Sequence, residues 1–249
     1  MDFVGKNIIV TGGAMGIGRA VAEGIVRGGG TAIIADIDME AARKTKQELG
    51  DLAHAVQMDL GDPRQIRAVM ADIIRDFGRI HAVVNNAGIV STGKFQEISQ
   101  EEWERVVQVN LTGTFTVTSA LFPHMKENGG GRIVNVSSVA AKLGGGLLGT
   151  AAYAASKAGI NGLTKAVARE GGPFGICCNA VCPSFTNTAM TSVLSENEER
   201  KQAVINAIPL RRRAEPQEIA NMILFFASDL ASFVNGEIGD VDGGITMDG

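Results

Sequence analysis

Tyr153 and Lys157 stand four residues apart in the run AAYAASKAGINGLTKAVA, which reads as a helix. That spacing places both side chains on one helical face. A phenol, with an ordinary pKa of about 10, exchanges protons poorly at neutral pH. A fixed ammonium beside it favours the phenolate and lowers that pKa. The pair is therefore a candidate acid/base. Alone, the spacing is a weak motif that many helices carry without chemistry.

A second candidate lies upstream. Thr11-Gly12-Gly13-Ala14-Met15-Gly16-Ile17-Gly18 follows an apolar, strand-like run and opens a helical one. Glycines there permit a tight turn and bring backbone N–H groups to a pyrophosphate at a helix N-terminus. The plain alternative is a glycine-rich turn without a ligand. Asp36 closes the next strand-like run. A carboxylate there can accept hydrogen bonds from both adenine-ribose hydroxyls and repels a 2′-phosphate, which predicts NAD over NADP.

These groups need a scaffold. Strands are expected at Asn7–Val10, Thr31–Ala35, Ala53–Met58, Ile80–Asn85, Arg132–Ser137, Ile176–Cys182 and Glu237–Val241. Helices are expected notably at Gly16–Arg27, Met39–Leu49, Pro63–Phe77, Gln100–Lys126 and Ala152–Arg169, with Gly171-Gly172-Pro173 as a stop. Short apolar strands alternating with helices predict an α/β, doubly wound parallel sheet of about seven strands with both faces covered. The chain reads as one Rossmann-type domain over residues 1–249, with a segment at about 186–215 shaping a substrate pocket. The glycine-rich run Lys142–Thr150 lies on the same side.

The order of motifs resembles the short-chain dehydrogenase/reductase family along the whole chain. Its residues are T-G-x-x-x-G-I-G at Thr11–Gly18, Asn85-Asn86-Ala87-Gly88, Asn110, Ser138, Tyr153 with Lys157, and the closing Val241-Asp242-Gly243-Gly244. The resemblance implies a catalytic set of Asn110, Ser138, Tyr153 and Lys157. Tyr153 would exchange the carbinol proton, Ser138 would hold the substrate oxygen, Lys157 would hold the nicotinamide ribose, and Asn110 would hold a water. It implies cofactor contacts from Gly12, Met15, Gly16, Ile17, Gly18, Asp36, Asp59, Leu60, Asn86, Ala87, Gly88, Tyr153, Lys157, Pro183, Thr186 and Thr188. Asp59 could equally be a loop cap. Met15 and Ile37 are uncharged where NADP-preferring members often carry basic residues, and Arg19 is expected to point away. Two departures stand out: Ser184 replaces the usual glycine after Pro183, and the Ser138–Tyr153 interval is longer than usual, with a bulge expected at Gly144-Gly145-Gly146.

The implied activity is NAD-dependent interconversion of a secondary alcohol and a ketone by hydride transfer. Val90, Ala140, Leu147, Leu148, Phe185 and Met190 suggest a fairly apolar or cyclic substrate. The alternative is a 3-oxoacyl-thioester reductase, with Arg211-Arg212-Arg213 meeting a phosphate, or else forming a solvated cluster or a subunit salt bridge. A non-enzyme alternative, a nucleotide-sensing binding protein, need not retain the four catalytic residues.

Composition narrows the classes. Hydrophobic residues make up 45% and charged residues 20%, as in ordinary globular chains. A net charge of −4 and a pI near 5.5 argue against nucleic acid as a partner. No apolar run approaches the ~18 residues of a membrane span. The N-terminus lacks the pattern of a signal peptide, so the cytoplasm is expected. Cys177, Cys178 and Cys182 fall in one strand-like run, and His54, His81 and His124 lie apart, so no metal is expected. Apolar residues on more than one face, among them Phe115, Val117 and Leu121, then Ile160, Leu163 and Val167, point to like subunits. The resemblance implies a homotetramer, with Ile245–Gly249 near a second interface.

Overall fold

A computed structural model describes residues 1–145, 150–192 and 198–247, without the side chains of Ser192 and Arg200. Its strands are β1 (Asn7–Thr11), β2 (Thr31–Asp36), β3 (Ala53–Gln57), β4 (Ala82–Asn85), β5 (Gly131–Val136), β6 (Ile176–Pro183) and β7 (Ile238–Val241). They form one sheet in the order β3-β2-β1-β4-β5-β6-β7, with every pairing parallel. This is the expected doubly wound α/β fold. Strand ends shift by at most two residues. The largest shift is at β4, where Ile80 sends its N–H to Nε2 of His124 (3.2 Å) instead of a strand partner.

Helices cover both faces. On one face α1 (Gly16–Arg27), α2 (Met39–Leu49) and α10 (Pro216–Ala227) bury Val21, Ile25, Ala42, Ile223 and Phe226 against Ile8, Val10, Ile34 and Val134. On the other, α3 (Pro63–Phe77), α5 (Gly113–Glu127) and α7 (Ala151–Gly171) bury Ile66, Ile73, Leu121 and Ala168 against Ile9, Ile33, Val83 and Ile133. Adjacent β-branched residues therefore serve opposite layers, as the pleat requires. Local caps fix the helix starts: Asp38 accepts from Ala41 N, and Asp62 from Arg64 N and Gln65 N.

Two expectations need correction. The single helix Gln100–Lys126 is α4 (Gln100–Val107), a π-helical turn over Gln108–Thr112, then α5. The widened turn contains Asn110, whose amide is drawn out to the Ile89 backbone. The sequence reading also left out α10, although Pro216 at its first turn and a Glu215/Glu218 capping box mark its start. Among the described residues no helix is long and apolar enough to cross a membrane.

Short helices α6 (Ala140–Leu143), α8 (Ala189–Ser192) and α9 (Glu198–Ala207) lie beyond the carboxyl ends of the central strands. Phe185 and Ile208 are buried there, with Val204, Ile205 and Ile245 packed against them. Strand order reverses between β1 and β4, and the ligand crevice of such sheets opens at that point.

Candidate active site

A cavity of about 760 Å³ opens there. Its lining includes Gly12, Met15, Gly16, Ile17, Asp36, Asp59, Leu60, Asn86, Ala87 and Gly88 at one end. Ser138, Tyr153, Lys157, Pro183, Thr186 and Thr188 also line it. Of the catalytic and cofactor-binding residues expected from sequence, Gly18 and Asn110 do not line it.

Those two act from behind. A Cβ on Gly18 would stand 2.1 Å from the Gly12 carbonyl oxygen, so glycine there is a packing requirement of the loop. Gly12 and Gly16 take left-handed φ of 62° and 56°, which other residues adopt at a cost. The loop therefore leaves a bare backbone at the N-terminus of α1, suited to phosphate. Asn110 is buried, accepts Ile89 N–H (2.8 Å), and donates to the Ile89 carbonyl (2.9 Å) and the Ser156 hydroxyl (3.0 Å). Its oxygen also lies 3.1 Å from where a Gly88 Cβ would stand, with Lys157 Nζ at 3.5 Å from that point.

Strand ends and one helix bring the chemical groups together. Ser138 follows β5, while Tyr153 and Lys157 rise from the first turns of α7. Lys157 Nζ donates to the Val136 carbonyl (2.7 Å) and lies 5.7 Å from the centre of the Tyr153 ring. Ser138 hydrogen-bonds with Tyr153, and its Oγ accepts the Ala140 N–H (3.1 Å). The neighbouring Ser137 hydroxyl is committed to the Lys157 carbonyl (3.0 Å), which leaves Ser138 as the serine facing the cavity chemistry.

The electrostatics correct one expectation. Burial pushes the Tyr153 phenol above its ordinary value, and the Ser138 hydrogen bond only works against that rise. Burial also pushes Lys157 down, to about 8. In the protein by itself desolvation dominates at both groups, and the expected lowering of the phenol does not occur.

At the adenine end, Asp36 accepts Ala14 N–H (3.0 Å) and Asp38 N–H (3.1 Å), so it shapes the glycine loop as well as lining the cavity. Carboxylate oxygens keep acceptor sites beyond these two. Arg19 turns away to Glu48 (2.6 Å). Asp59 caps its own loop by accepting Gly61 N–H (2.7 Å), so the cap reading and the cavity reading both hold.

This arrangement fits a dinucleotide at a glycine loop and a carbonyl or carbinol beside a Tyr/Ser/Lys cluster. A family model described as Enoyl-(Acyl carrier protein) reductase matches residues 12–246. A 3-oxoacyl-[acyl-carrier-protein] reductase FabG of Aquifex aeolicus is 42% identical over 245 residues, covering 97% of each chain. The uncharacterized short-chain type dehydrogenase/reductase y4mP of Sinorhizobium fredii is 37% identical over 98% of each. The chain belongs to the short-chain dehydrogenase/reductase family. A crystal structure from Beutenbergia cavernae, provisionally assigned as an NAD(P) dependent gluconate 5-dehydrogenase and holding NADP at low occupancy, superposes with a TM-score of 0.91. It is 35% identical, and 98% of both chains is covered.

As a short-chain dehydrogenase/reductase the chain is an oxidoreductase of NAD(P) type. Its departure at Ser184 is absorbed locally. Ser184 has no positive φ, and its hydroxyl donates to the Asp242 carbonyl (3.0 Å). The longer interval after Ser138 forms α6 and left-handed turns at Gly144 and Gly145 (φ 77° and 123°). Gly146, Leu147 and Leu148 lie outside the described residues. Val90, Ala140, Phe185 and Met190 line the cavity as expected, joined by Leu143, Val204, Ala207 and Ile245. Leu143 falls in the 142–150 run and Val204 and Ala207 in the 186–215 segment, both expected from sequence to shape the pocket, and Ile245 was missed. From sequence Ile245 is expected near a subunit interface; within this chain it packs with Phe185 and Ile208.

The arginine run is divided. Arg212 forks onto Glu218 (2.7 Å twice), Arg211 reaches the Asn206 carbonyl, and Arg213 lies over the Phe185 ring at 5.7 Å. The cysteines form part of β6, with Cys178 and Cys182 buried. No metal-binding cluster occurs among the described residues.

Proposed function

We propose that this chain is an NAD(H)-linked 3-oxoacyl-thioester reductase, reversible toward the 3-hydroxyacyl thioester. The observation that carries the substrate class is full-length identity of 42% to a 3-oxoacyl-[acyl-carrier-protein] reductase. Cavity walls of Val90, Leu143, Phe185, Met190 and Val204 suit an acyl chain. This reverses the order of the two readings drawn from sequence, which put a free apolar or cyclic secondary alcohol first. A free secondary alcohol remains the second reading; the likeness to the gluconate 5-dehydrogenase structure favours a free alcohol over a thioester, though not an apolar or cyclic one. NAD is proposed over NADP because Asp36 lines the cavity and the nearby Arg19 is engaged elsewhere.

A nicotinamide held in this cavity would supply hydride chemistry at the carbonyl or carbinol carbon. Ser138 donates its hydroxyl hydrogen to the substrate oxygen as negative charge grows there. Tyr153 delivers the proton to that oxygen in reduction and removes it in oxidation. Lys157 sits behind the phenol, where its charge favours the tyrosinate, and holds the nicotinamide ribose. Asn110 fixes the Ile89 backbone and, with Gly88, the wall beside Lys157. Gly12, Met15, Gly16, Ile17, Asn86, Ala87 and Gly88 would hold the diphosphate and adjoining ribose, and Asp59 and Leu60 the adenine. Pro183, Thr186 and Thr188 would flank the nicotinamide, and the 186–215 segment would cover the substrate. The protein acts in the cytoplasm as a homotetramer.

One assay grid tests this: 3-oxobutanoyl-CoA and a panel of cyclic and linear secondary ketones, each with NADH and NADPH. Faster turnover of the thioester with NADH is the expected result. Preference for a free ketone moves the assignment to the second reading, and preference for NADPH removes the role given to Asp36.

A further inference from the structure

Lys142 and Asp240 form an ion pair across the fold. Nζ and Oδ2 are 2.7 Å apart, and the side chains are only 17% and 21% exposed. Asp240 lies in β7 beside Cys182 of β6. Its other oxygen, Oδ1, is buried without a hydrogen-bond partner. Taking two charges out of water opposes folding, and an acceptor left unpaired adds to the cost. Stability alone therefore explains the pair poorly.

Its position suggests another reason. Lys142 belongs to α6, the turn that begins just after Ser138. Ser138 Oγ accepts the Ala140 N–H at 3.1 Å, so α6 occupies the acceptor side of that hydroxyl. Accepting there keeps the hydroxyl hydrogen available as a donor, to the Tyr153 phenol in this structure and to a substrate oxygen beside it. One end of the α6 segment is tied to β6, where Val139 N–H donates to the Pro183 carbonyl (3.1 Å). Lys142 ties the other end to β7. Ala140 and Leu143, between and beside these ties, both line the cavity.

We propose that the Lys142–Asp240 ion pair is a positioning device that holds α6 so that Ser138 aims its hydroxyl hydrogen at the substrate oxygen. This rests on the reading of Ser138 as the donor to that oxygen. Lys142 and Asp240 do not line the cavity.

The test uses the full chain in four variants: Lys142→Met, Lys142→Arg, Lys142→Met with Asp240→Met, and Ser138→Ala. Amide hydrogen exchange at Ala140 is read without cofactor, and kcat and KM are read with NADH and 3-oxobutanoyl-CoA. Lys142→Met is expected to speed Ala140 exchange and to lower kcat, each roughly tenfold, as slight misplacement of a catalytic group does. KM for NADH stays unchanged, and Lys142→Arg restores both readouts. Wild-type Ala140 exchange in Lys142→Met overturns the proposal, and that measurement needs no turnover. Recovery of kcat in the double variant also overturns it, by making the unpaired Asp240 charge, and not the lost tie, the cause. Full kcat in Ser138→Ala removes the donor reading itself, a failure distinct from either.

Discussion

Asn86 clamps Thr11. Its side-chain amide donates to the carbonyls of Thr11 (3.1 Å) and Gly12 (3.0 Å). In return the Thr11 hydroxyl accepts the backbone N–H of Asn86 (3.0 Å) and Ala87 (3.2 Å). The end of β1 and the end of β4 are thereby locked at the point where the glycine loop begins. Thr11→Val keeps the shape and leaves two N–H groups without their acceptor. Each such loss costs about 1–3 kcal/mol, so the variant is expected to unfold at clearly lower urea and to bind dinucleotide less tightly. An unchanged urea midpoint would contradict the clamp.

Tyr153→Phe keeps the ring and removes the proton carrier. Turnover is expected to fall ~10²–10⁴-fold, the usual loss for a general acid/base. Dinucleotide affinity is expected to stay near wild type, since the cavity wall is retained. Near-normal kcat in a folded variant would remove Tyr153 from the mechanism.

Asp36→Ala is expected to weaken NADH and narrow the gap to NADPH. A hydrogen bond to a charged group is worth ~1.5–3 kcal/mol, so the NADH dissociation constant should rise by roughly tenfold or more. The same substitution frees the Ala14 N–H, which loosens the loop for both cofactors. The ratio of the two affinities, rather than either alone, is therefore the decisive measurement.

Much of this was legible in sequence because it depends on local pattern. Glycine spacing, the Tyr153/Lys157 step and the alternating strands all survive in the structure. What was not legible depends on distant partners. The π-helical turn at Asn110 exists because Ile89, 21 residues earlier, supplies its hydrogen bonds. Lys142 and Asp240 are 98 residues apart, and no local pattern links them. The α10 segment was missed for a different reason: NMILFFA is apolar nearly all round, so it shows no helical stripe. The sign of the Tyr153 shift depends on how deeply packing buries it, which spacing does not report.

Lys157 gives a pH prediction with a definite sign. Its folded value is pushed down from 10.5 to about 8 by burial. Between those values the unfolded chain binds more protons, so stability from this group rises with pH and is lost as pH falls through about 8. Tyr153 moves the opposite way, and its raised value erodes stability only above about 10. The stability of wild type relative to Lys157→Met is therefore expected to improve from pH 7 to 9.5. A flat or falling difference, from denaturant midpoints across that range, would contradict a buried, depressed lysine.

The last prediction concerns assembly. Of the apolar residues read from sequence as a second face, Val117, Leu121 and Ile160 are buried within this chain and cannot contribute. Phe115 on α5 remains 50% exposed and Trp103 on α4 39%, large apolar groups on the side that covers α3, α5 and α7. Phe233 is fully exposed near Leu230 (70%) on a different part of the surface. Two separate apolar areas suit two different twofold contacts, which is what a D2 tetramer uses. Light scattering during size exclusion is expected to give the mass of four 26.0 kDa chains. Phe115→Glu is expected to break one contact and yield dimers, and Phe233→Glu to break the other. A wild-type mass of one or two chains at micromolar concentration would sink the tetramer, and two variants that both remain tetrameric would move the interfaces elsewhere.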